Sequence, residues 1–382
     1  MIRALNRRQL LLAPALAAAF PPAHGLARTT LQFPRDAGSH NDFQTEWWYV
    51  TGCALVPGAT GAGGAAQMLG FQVTFFRSRI ASTQGMQSRL AARQLLFAHA
   101  AATDVDGKKL WHDQRISRWS GEAPGRNPAD LASASSTDTA ITLRDWRLLR
   151  EGPDLRAQIT GAGFTLDLRL QASQPVLLQG ADGLSRKGPE EKQASYYYSL
   201  PQLRVIGSIA LQGKTLALQS GSTAWLDHEW SQEMLHPQAV GWDWIGINLF
   251  DGSALTAFQL RDKTGAALWD GGSFRSGGAG AGDGAVAGKN RPYIFSRGEV
   301  VFKPLRRWTS PLSRASYPVE WMVRTPADFY TVKAMLDNQE LDSRNSTGAI
   351  YWEGLCEVWD SNNRLVGRGY LEMTGYAGAL QM

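Results

Sequence analysis

The chain has 382 residues, 43% hydrophobic and 19% charged, which excludes general disorder and makes two domains the natural expectation. The formal net charge is +5, yet Arg3, Arg7 and Arg8 in the first segment supply three of those charges, leaving 36 basic against 34 acidic residues elsewhere. That balance, with no Lys/Arg stripe interleaved with aromatics, excludes nucleic acid as an expected partner.

Residues 1–27 have the layout of a secretory signal: a basic start, the apolar run Leu10–Phe20, and small residues at Gly25 and Ala27 for cleavage. The run is too short to span a bilayer, and no other stretch is long and apolar enough, so no stable transmembrane segment is expected in the mature chain. Arg7-Arg8 resembles a twin-arginine signal, although Gln9 and Leu10 depart from its full pattern. The expected location is therefore periplasmic or secreted. An uncut leader acting as a membrane anchor is the rival reading, and further association with a membrane or the export machinery is left open.

Beyond residue 27 a period of two dominates. In Phe164–Leu170, Phe164, Leu166, Leu168 and Leu170 share one face, and Ala254–Leu260 and Val319–Arg324 repeat the alternation. Such segments read as half-buried antiparallel strands. Asp106-Gly107, Gln212-Gly213, Asp251-Gly252 and Asn362-Asn363 supply turns. Residues 87–98 have enough helical character for a short helix, with their end entering a strand. The Gly/Ala-rich stretches Gly58–Ala66 and Ser276–Gly288 read as hairpin loops. Trp-rich strands near Glu46–Tyr49 and Gly241–Ile245 each open a long run of strands. The fold expected is all-β, as two closed or nearly closed antiparallel barrels, over residues 28–235 and 236–382, with the boundary near Pro237.

Cys53 and Cys356 are too few and too far apart for a disulfide framework or a Cys-based zinc site, so two separately buried thiols are expected. His24, His40, His99, His112, His228 and His236 show neither His-x-His nor HExxH spacing, so no metal is expected. Nothing calls for a cofactor. Neither a G-x-S-x-G elbow nor a phosphate-binding loop is present.

Four aromatic-acidic clusters remain: Thr45–Gly52, Trp225–Ser231, Gly241–Ile245 and Tyr351–Gly354. Each carboxylate either pairs structurally with a backbone group or an Arg, or is kept protonated by apolar surroundings and becomes a proton donor. The densest cluster places Asp227, His228 and Glu229 between Trp225 and Trp230. On a strand, Asp227 and Glu229 face one way and His228 the other, and the two like charges raise one pKa. These three are the candidate catalytic residues. Glu46, Trp47, Trp48, Tyr49, Trp225, Trp230, Trp242, Trp244, Tyr351 and Trp352 are the candidate substrate-binding residues.

TEWWYVTG (45–52), LFAHAAATD (96–104), SYYYSLP (195–201), WLDHEWS (225–231), GWDWIGINLFDG (241–252), YWEG (351–354) and GRGYLEMTGY (367–376) occur in an order that resembles the AttH/CrtC lipocalin-like superfamily, over nearly the whole mature chain. The resemblance implies two calycin-type, lipocalin-like β-barrel domains. Part of that superfamily comprises carotenoid 1,2-hydratases, which add water to an isoprenoid double bond by acid catalysis, and the residue matching their proposed acid is Asp227. The leader and the D-H-E-W-S form are closer to the exported branch labelled predicted secreted hydrolases. Three functions fit: a hydratase-like enzyme on an apolar isoprenoid or lipid-like molecule, with His228 or Glu229 assisting Asp227; a non-catalytic periplasmic lipid carrier, in which Glu46, Asp227 and Glu229 are structural; and a hydrolase using Asp227 to activate water.

Overall fold

The computed structural model describes residues 25–58, 66–233, 235–278 and 291–379. Nearly all of the expected leader and most of both Gly/Ala-rich stretches lie outside the described residues.

The first sheet begins with β1 (Thr45–Val56) and three strands that follow it in an antiparallel series, β2 (Gln67–Arg79), β3 (Gln94–Asp104) and β4 (Lys109–Trp119), each paired with the one before. A meander follows through β5 (Ala132–Ala134), β6 (Ala140–Leu143), β7 (Trp146–Glu151), β8 (Asp154–Gly161) and β9 (Phe164–Gln171). The short β10 (Leu177–Leu178), β11 (Leu184–Arg186) and β13 (Lys214–Ala217) flank the long β12 (Ala194–Leu211), and β14 (Thr223–Ser231) closes the run. The spatial order is β4-β3-β2-β1-β14-β12-β9-β8-β7-β6-β5. The end strands β4 and β5 meet, so the sheet curls into a nearly closed barrel, which leaves little exposed edge.

The second sheet starts with β15 (Gly241–Leu249), β16 (Ala254–Arg261), β17 (Ala267–Arg275) and β18 (Tyr293–Phe295). It continues through β19 (Val301–Thr309), β20 (Ser316–Arg324), β21 (Phe329–Ala334), β22 (Glu340–Asp342), β23 (Ile350–Trp359) and β24 (Leu365–Met373). Its order, β18-β17-β16-β15-β24-β23-β21-β20-β19, curls only half-way round. The protein is thus all-β and lipocalin-like, one nearly closed barrel beside one half-barrel. No α-helix occurs among the described residues, and none of their helices is long and apolar enough to cross a membrane.

Local chemistry explains the elements. In β9, burial alternates at every residue, as the Phe164-Leu166-Leu168-Leu170 spacing predicts. Gln212 and Gly213 join β12 to β13 with φ of 50° and 82°, the left-handed pair that a two-residue hairpin needs. The short helix expected within 87–98 does not form; from Gln94 the run is strand, where Leu96 and Ala98 pack inside the barrel. β16 is buried along its whole length, not half-buried. Leu255 and Ala257 enter the half-barrel core, while Ala254, Phe258 and Leu260 pack between the sheets. Cys53 and Cys356 are free and buried.

The sheets are joined by polar contacts as well as by packing. β12 slips register between Leu200 and Leu203, with Gln202 at φ 55°. The displaced Gln202 donates from Nε2 to the Leu249 and Ser253 carbonyls and from its backbone N to Asn248 Oδ1. The irregularity therefore ties the barrel to the half-barrel, a common use of a β-bulge.

The alternation in β9 generates a direct test. Leu168→Ala should cost about 2–5 kcal/mol in a urea titration, because it leaves a cavity in the barrel core. Arg169→Ala, where the guanidinium is 39% exposed and its partner Glu151 partly exposed, should cost less than about 1 kcal/mol. Similar losses at both positions would contradict the assigned facing.

Candidate active site

The barrel's outer face, not its interior, carries the candidate acid. β1, β14 and β12 lie side by side, with Tyr49 opposite Asp227, Trp47 opposite Glu229, Ser199 opposite Asp227 and Tyr197 opposite Glu229. The period of two sends all of these to one face. The half-barrel brings Trp242 and Trp244 from β15, Phe258 and Leu260 from β16, Tyr351 and Glu353 from β23, and Glu372 from β24. Between these walls lies a cavity of about 790 Å³, closed in part by Gln232, Glu233, Leu235, His236, Pro237 and Ala239 from the connection between the two sheets. Its size and mixed apolar and polar lining suit a small organic molecule.

Asp227 is 3% exposed. Its Oδ1 accepts from Ser199 Oγ at 2.5 Å and Trp225 Nε1 at 2.6 Å, and its Oδ2 accepts from the Tyr197 hydroxyl at 2.6 Å. Two of these donors are themselves supported: Trp244 Nε1 donates to Tyr197 at 3.2 Å, and Gln179 Nε2 donates to Ser199 at 2.9 Å. Burial pushes the Asp227 pKa up, the three donors pull it back, and the Glu229 charge adds to the rise, leaving it at about 7. Glu229 accepts from Ser195 Oγ and pairs with Lys187 Nζ at 2.9 Å. Lys187 is buried over the Phe258 ring, 4.1 Å from its centroid.

The half-barrel wall has its own carboxyl pair. Glu353 and Glu372 are register partners on β23 and β24. Burial raises both pKa values; Glu372 further raises that of Glu353, and Asp227 and Glu229 further raise that of Glu372. His99, on β3, bridges to the same wall: its Nδ1 lies 2.8 Å from the Tyr351 hydroxyl and its Nε2 2.8 Å from Ser346 Oγ. Ser346 gives its proton to Gln114 Oε1 or the Ser343 carbonyl, so Nε2 is the protonated ring nitrogen and Nδ1 accepts from Tyr351. Burial pushes the His99 pKa down to about 3.

Seven of the thirteen candidates from the sequence line this cavity: Asp227, Glu229, Trp47, Tyr49, Trp242, Trp244 and Tyr351. Trp225 shares their face but lies beneath it and acts through Asp227. His228 does not assist Asp227. It points into the barrel, where its Nε2 lies 3.0 Å from Glu46 Oε1. Glu46 is likewise inside and belongs to a charge network: Arg77 Nε is 2.7 Å from its Oε2 and His40 Nδ1 2.7 Å from its Oε1. The basic partners hold Glu46 well below the usual carboxylate range against burial, and burial depresses His228 to about 4. Arg77 also donates to the His40 and Phe43 carbonyls, pinning residues 40–43 to the sheet. Trp48 stacks on His228, Trp230 stacks on His40 at 3.7 Å, and Trp352 fills the half-barrel core; the strand period places all three away from the cavity.

The ligand atoms of His40, Glu46 and His228 lie within 4.8 Å of one another, a grouping from three separated segments that spacing did not reveal. The Arg77 guanidinium already occupies the cationic position against Glu46, so the grouping is a poor metal site. Asp243, in the third aromatic-acidic cluster, is also structural, 2.7 Å from Arg261 Nε. Sequence reasoning missed Tyr197, Ser199, Lys187, His99, Glu353 and Glu372 as site residues. Tyr197, Ser199, His99, Glu353 and Glu372 lie within the quoted motifs, and parity from Asp227 picks out Tyr197 and Ser199 once β12 and β14 are paired. Lys187 left no such signal.

The AttH-like family profile matches residues 24–376. A crystal structure of an AttH candidate from Nitrosomonas europaea is 42% identical, with a TM-score of 0.79 over 93% of this chain and 99% of that one. Kievitone hydratase from Nectria haematococca superimposes with a TM-score of 0.65 at 13% identity, over 91% of this chain and 94% of that one. The protein CghA follows with a TM-score of 0.51 at 13% identity, over 93% and 95%. At such identity the last two are likenesses of fold. No curated protein sequence matches the chain.

The raised Asp227 pKa has a consequence for stability. Folded Asp227 keeps its proton up to about 7, whereas an unfolded aspartate releases it near 3.8. Between those values the folded state binds more protons than the unfolded one, so this group's contribution to stability falls as pH rises through the interval. Asp227→Asn should therefore flatten the decline in melting temperature between about pH 4 and pH 7. Parallel curves for the two proteins would contradict the shift.

Proposed function

Because the chain belongs to the AttH-like family, we propose that it is an enzyme of acid-catalysed water chemistry, a hydratase or hydro-lyase acting on a small apolar, isoprenoid or lipid-like molecule held between its two sheets. The observation that carries this reading is Asp227: a buried carboxyl on the cavity wall, poised near neutral pH and surrounded by donors that suit its anion. The hydratase among the structural neighbours agrees with it by fold analogy.

In the proposed reaction the Asp227 carboxyl gives its proton to one carbon of a double bond, and the positive charge develops on the other. Trp47, Trp242 and Trp244 present π-systems that favour such a cation. The carboxylate left behind is stabilised by Tyr197, Ser199 and Trp225, donors already in place, so little reorganisation is needed as charge appears. Water adds to the cation, and its surplus proton returns to Asp227. The reverse sequence removes water from an alcohol.

Other readings have weaker support. A carrier needs the cavity but not an acid near neutrality. A hydrolase that uses Asp227 to activate water shares its key residue with the hydratase and is separated from it by the substrate turned over, and one with a protein nucleophile has no activated Cys or Ser to use among the described residues. Burial raises the Cys53 thiol to about 11 and that of Cys356 too, and His99, beside Ser346, is too weak a base at about 3. Export to the periplasm or beyond, through a twin-arginine-type leader, is proposed from residues 1–27 alone. Recovery of the full-length chain only from the cytoplasmic fraction would remove that part.

Turnover is testable with monoterpene to diterpene alkenes and alcohols in heavy-oxygen water. Labelled alcohol should form, with a rate that falls as pH rises through about 7. Asp227→Asn should lower kcat by roughly 10²–10⁴-fold while retaining binding. Binding without turnover in the wild-type protein would favour the carrier, and undiminished turnover in the variant would remove Asp227 from the mechanism.

A further inference from the structure

We propose that Tyr49 and Glu353 form an oxygen-binding pole of the cavity that selects an uncharged ligand carrying a hydroxyl or carbonyl group and rejects a carboxylate; this deepens the proposed function and rests on its reading of the cavity as a ligand site. The two residues come from different sheets, β1 and β23, and both line the cavity. They are 6% and 3% exposed, and although the two groups lie close enough to act on each other, neither the Tyr49 hydroxyl nor Glu353 Oε1 makes a hydrogen bond of good geometry. Buried polar atoms are almost always paired, so two orphans on one cavity wall point to a partner that arrives with the ligand. Tyr351 also lies near Glu353, but its hydroxyl is 2.8 Å from His99 Nδ1, to which it donates in the tautomer that Ser346 sets.

Chemistry sets what that partner is. Burial beside Glu372 keeps Glu353 protonated, and burial keeps the Tyr49 phenol protonated, so each offers an O–H donor and an acceptor oxygen. A hydroxyl or carbonyl oxygen satisfies them. A carboxylate brings a negative charge to a cavity in which Lys187, the one Lys or Arg among the described lining residues, is already paired with Glu229, so no cation is left to balance it. Tyr49 sits opposite Asp227 in the β1–β14 register, so the pole lies beside the proposed acid. The ligand oxygen would thus be held close to the carbon that receives the proton.

Four probes of one carbon skeleton test this: farnesene, farnesol, farnesal and farnesoate, with binding read from quenching of tryptophan fluorescence in the full chain. Farnesol and farnesal should bind about tenfold or more tightly than farnesene, and farnesoate most weakly. Tyr49→Phe and Glu353→Met should each bring farnesol to within about twofold of farnesene without weakening farnesene. Glu353→Gln, which keeps a donor, should retain the preference for farnesol. Thermal melts establish that each variant is folded, and Tyr49→Phe carries the test if Glu353→Met is not. Equal affinities for farnesene and farnesol in the wild type, tight farnesoate binding, or a preference that survives in the folded Tyr49→Phe and Glu353→Met proteins would overturn the inference while leaving an apolar cavity standing. Failure of all four probes to bind would overturn the ligand-cavity reading, and the inference with it.

Discussion

Strand β14 is enclosed on both sides, and the rest of the site depends on that. Eight of its nine residues are buried, so alternate side chains must satisfy two interiors at once. Leu226, His228 and Trp230 belong to the barrel, whereas Trp225, Asp227 and Glu229 belong to the space between the sheets. A slip of one residue would exchange the two sets and put the acids among the apolar side chains of the barrel core. Pairing to β1 over Thr45–Cys53 and to β12 holds the register, and the displaced Gln202 fixes the half-barrel against the far end of the same face.

The same burial has opposite effects on two carboxylates in neighbouring strands. Glu46 is surrounded by Arg77, His40 and His228, and stays ionised as the anchor of a charge network. Asp227 has only neutral donors and a nearby like charge, and is pushed towards protonation. The difference is the set of partners, hydrogen bonds from His228 and His40 together with the Arg77 charge, not the degree of burial. It separates a structural acid from a chemical one, and explains why breaking the Glu46–Arg77 pair would act on folding while Asp227 is available for proton transfer. Glu353 and Glu372 follow the Asp227 pattern on the opposite wall.

Much of the architecture was legible because strands and turns are local. The period of two in β9, and the turn residues Gln212-Gly213 and Asn362-Asn363, sit where the hairpins require them. The all-β lipocalin-like fold was also carried by the order of the motifs. The site was only half legible. Parity correctly separated His228 from Asp227 and Glu229, yet His228, Glu46, Trp48, Trp230 and Trp352 were grouped with the cavity because an aromatic-acidic cluster looks alike whichever interior it enters. Which face meets which sheet depends on how the barrel and half-barrel pack, and that is a long-range property. Lys187 was invisible for the same reason, and His99, although inside a quoted motif, was not singled out, because each reaches the cavity from a segment remote in sequence from Asp227. β16 shows the limit of alternation itself, since a strand buried on both faces has no polar side to reveal its period.

The central claim is that Asp227, buried between the two sheets, exchanges its proton near neutral pH. Infrared difference spectroscopy across a pH titration reads this most directly, because a protonated carboxyl has a carbonyl stretch that its anion lacks. The account predicts a carboxylic-acid band that disappears around pH 7 in the wild-type protein and is missing from the difference spectrum of Asp227→Asn. A band assigned to Asp227 that is already lost near the ordinary aspartate value of 3.8 would show an ionised, structural residue, and would contradict the account.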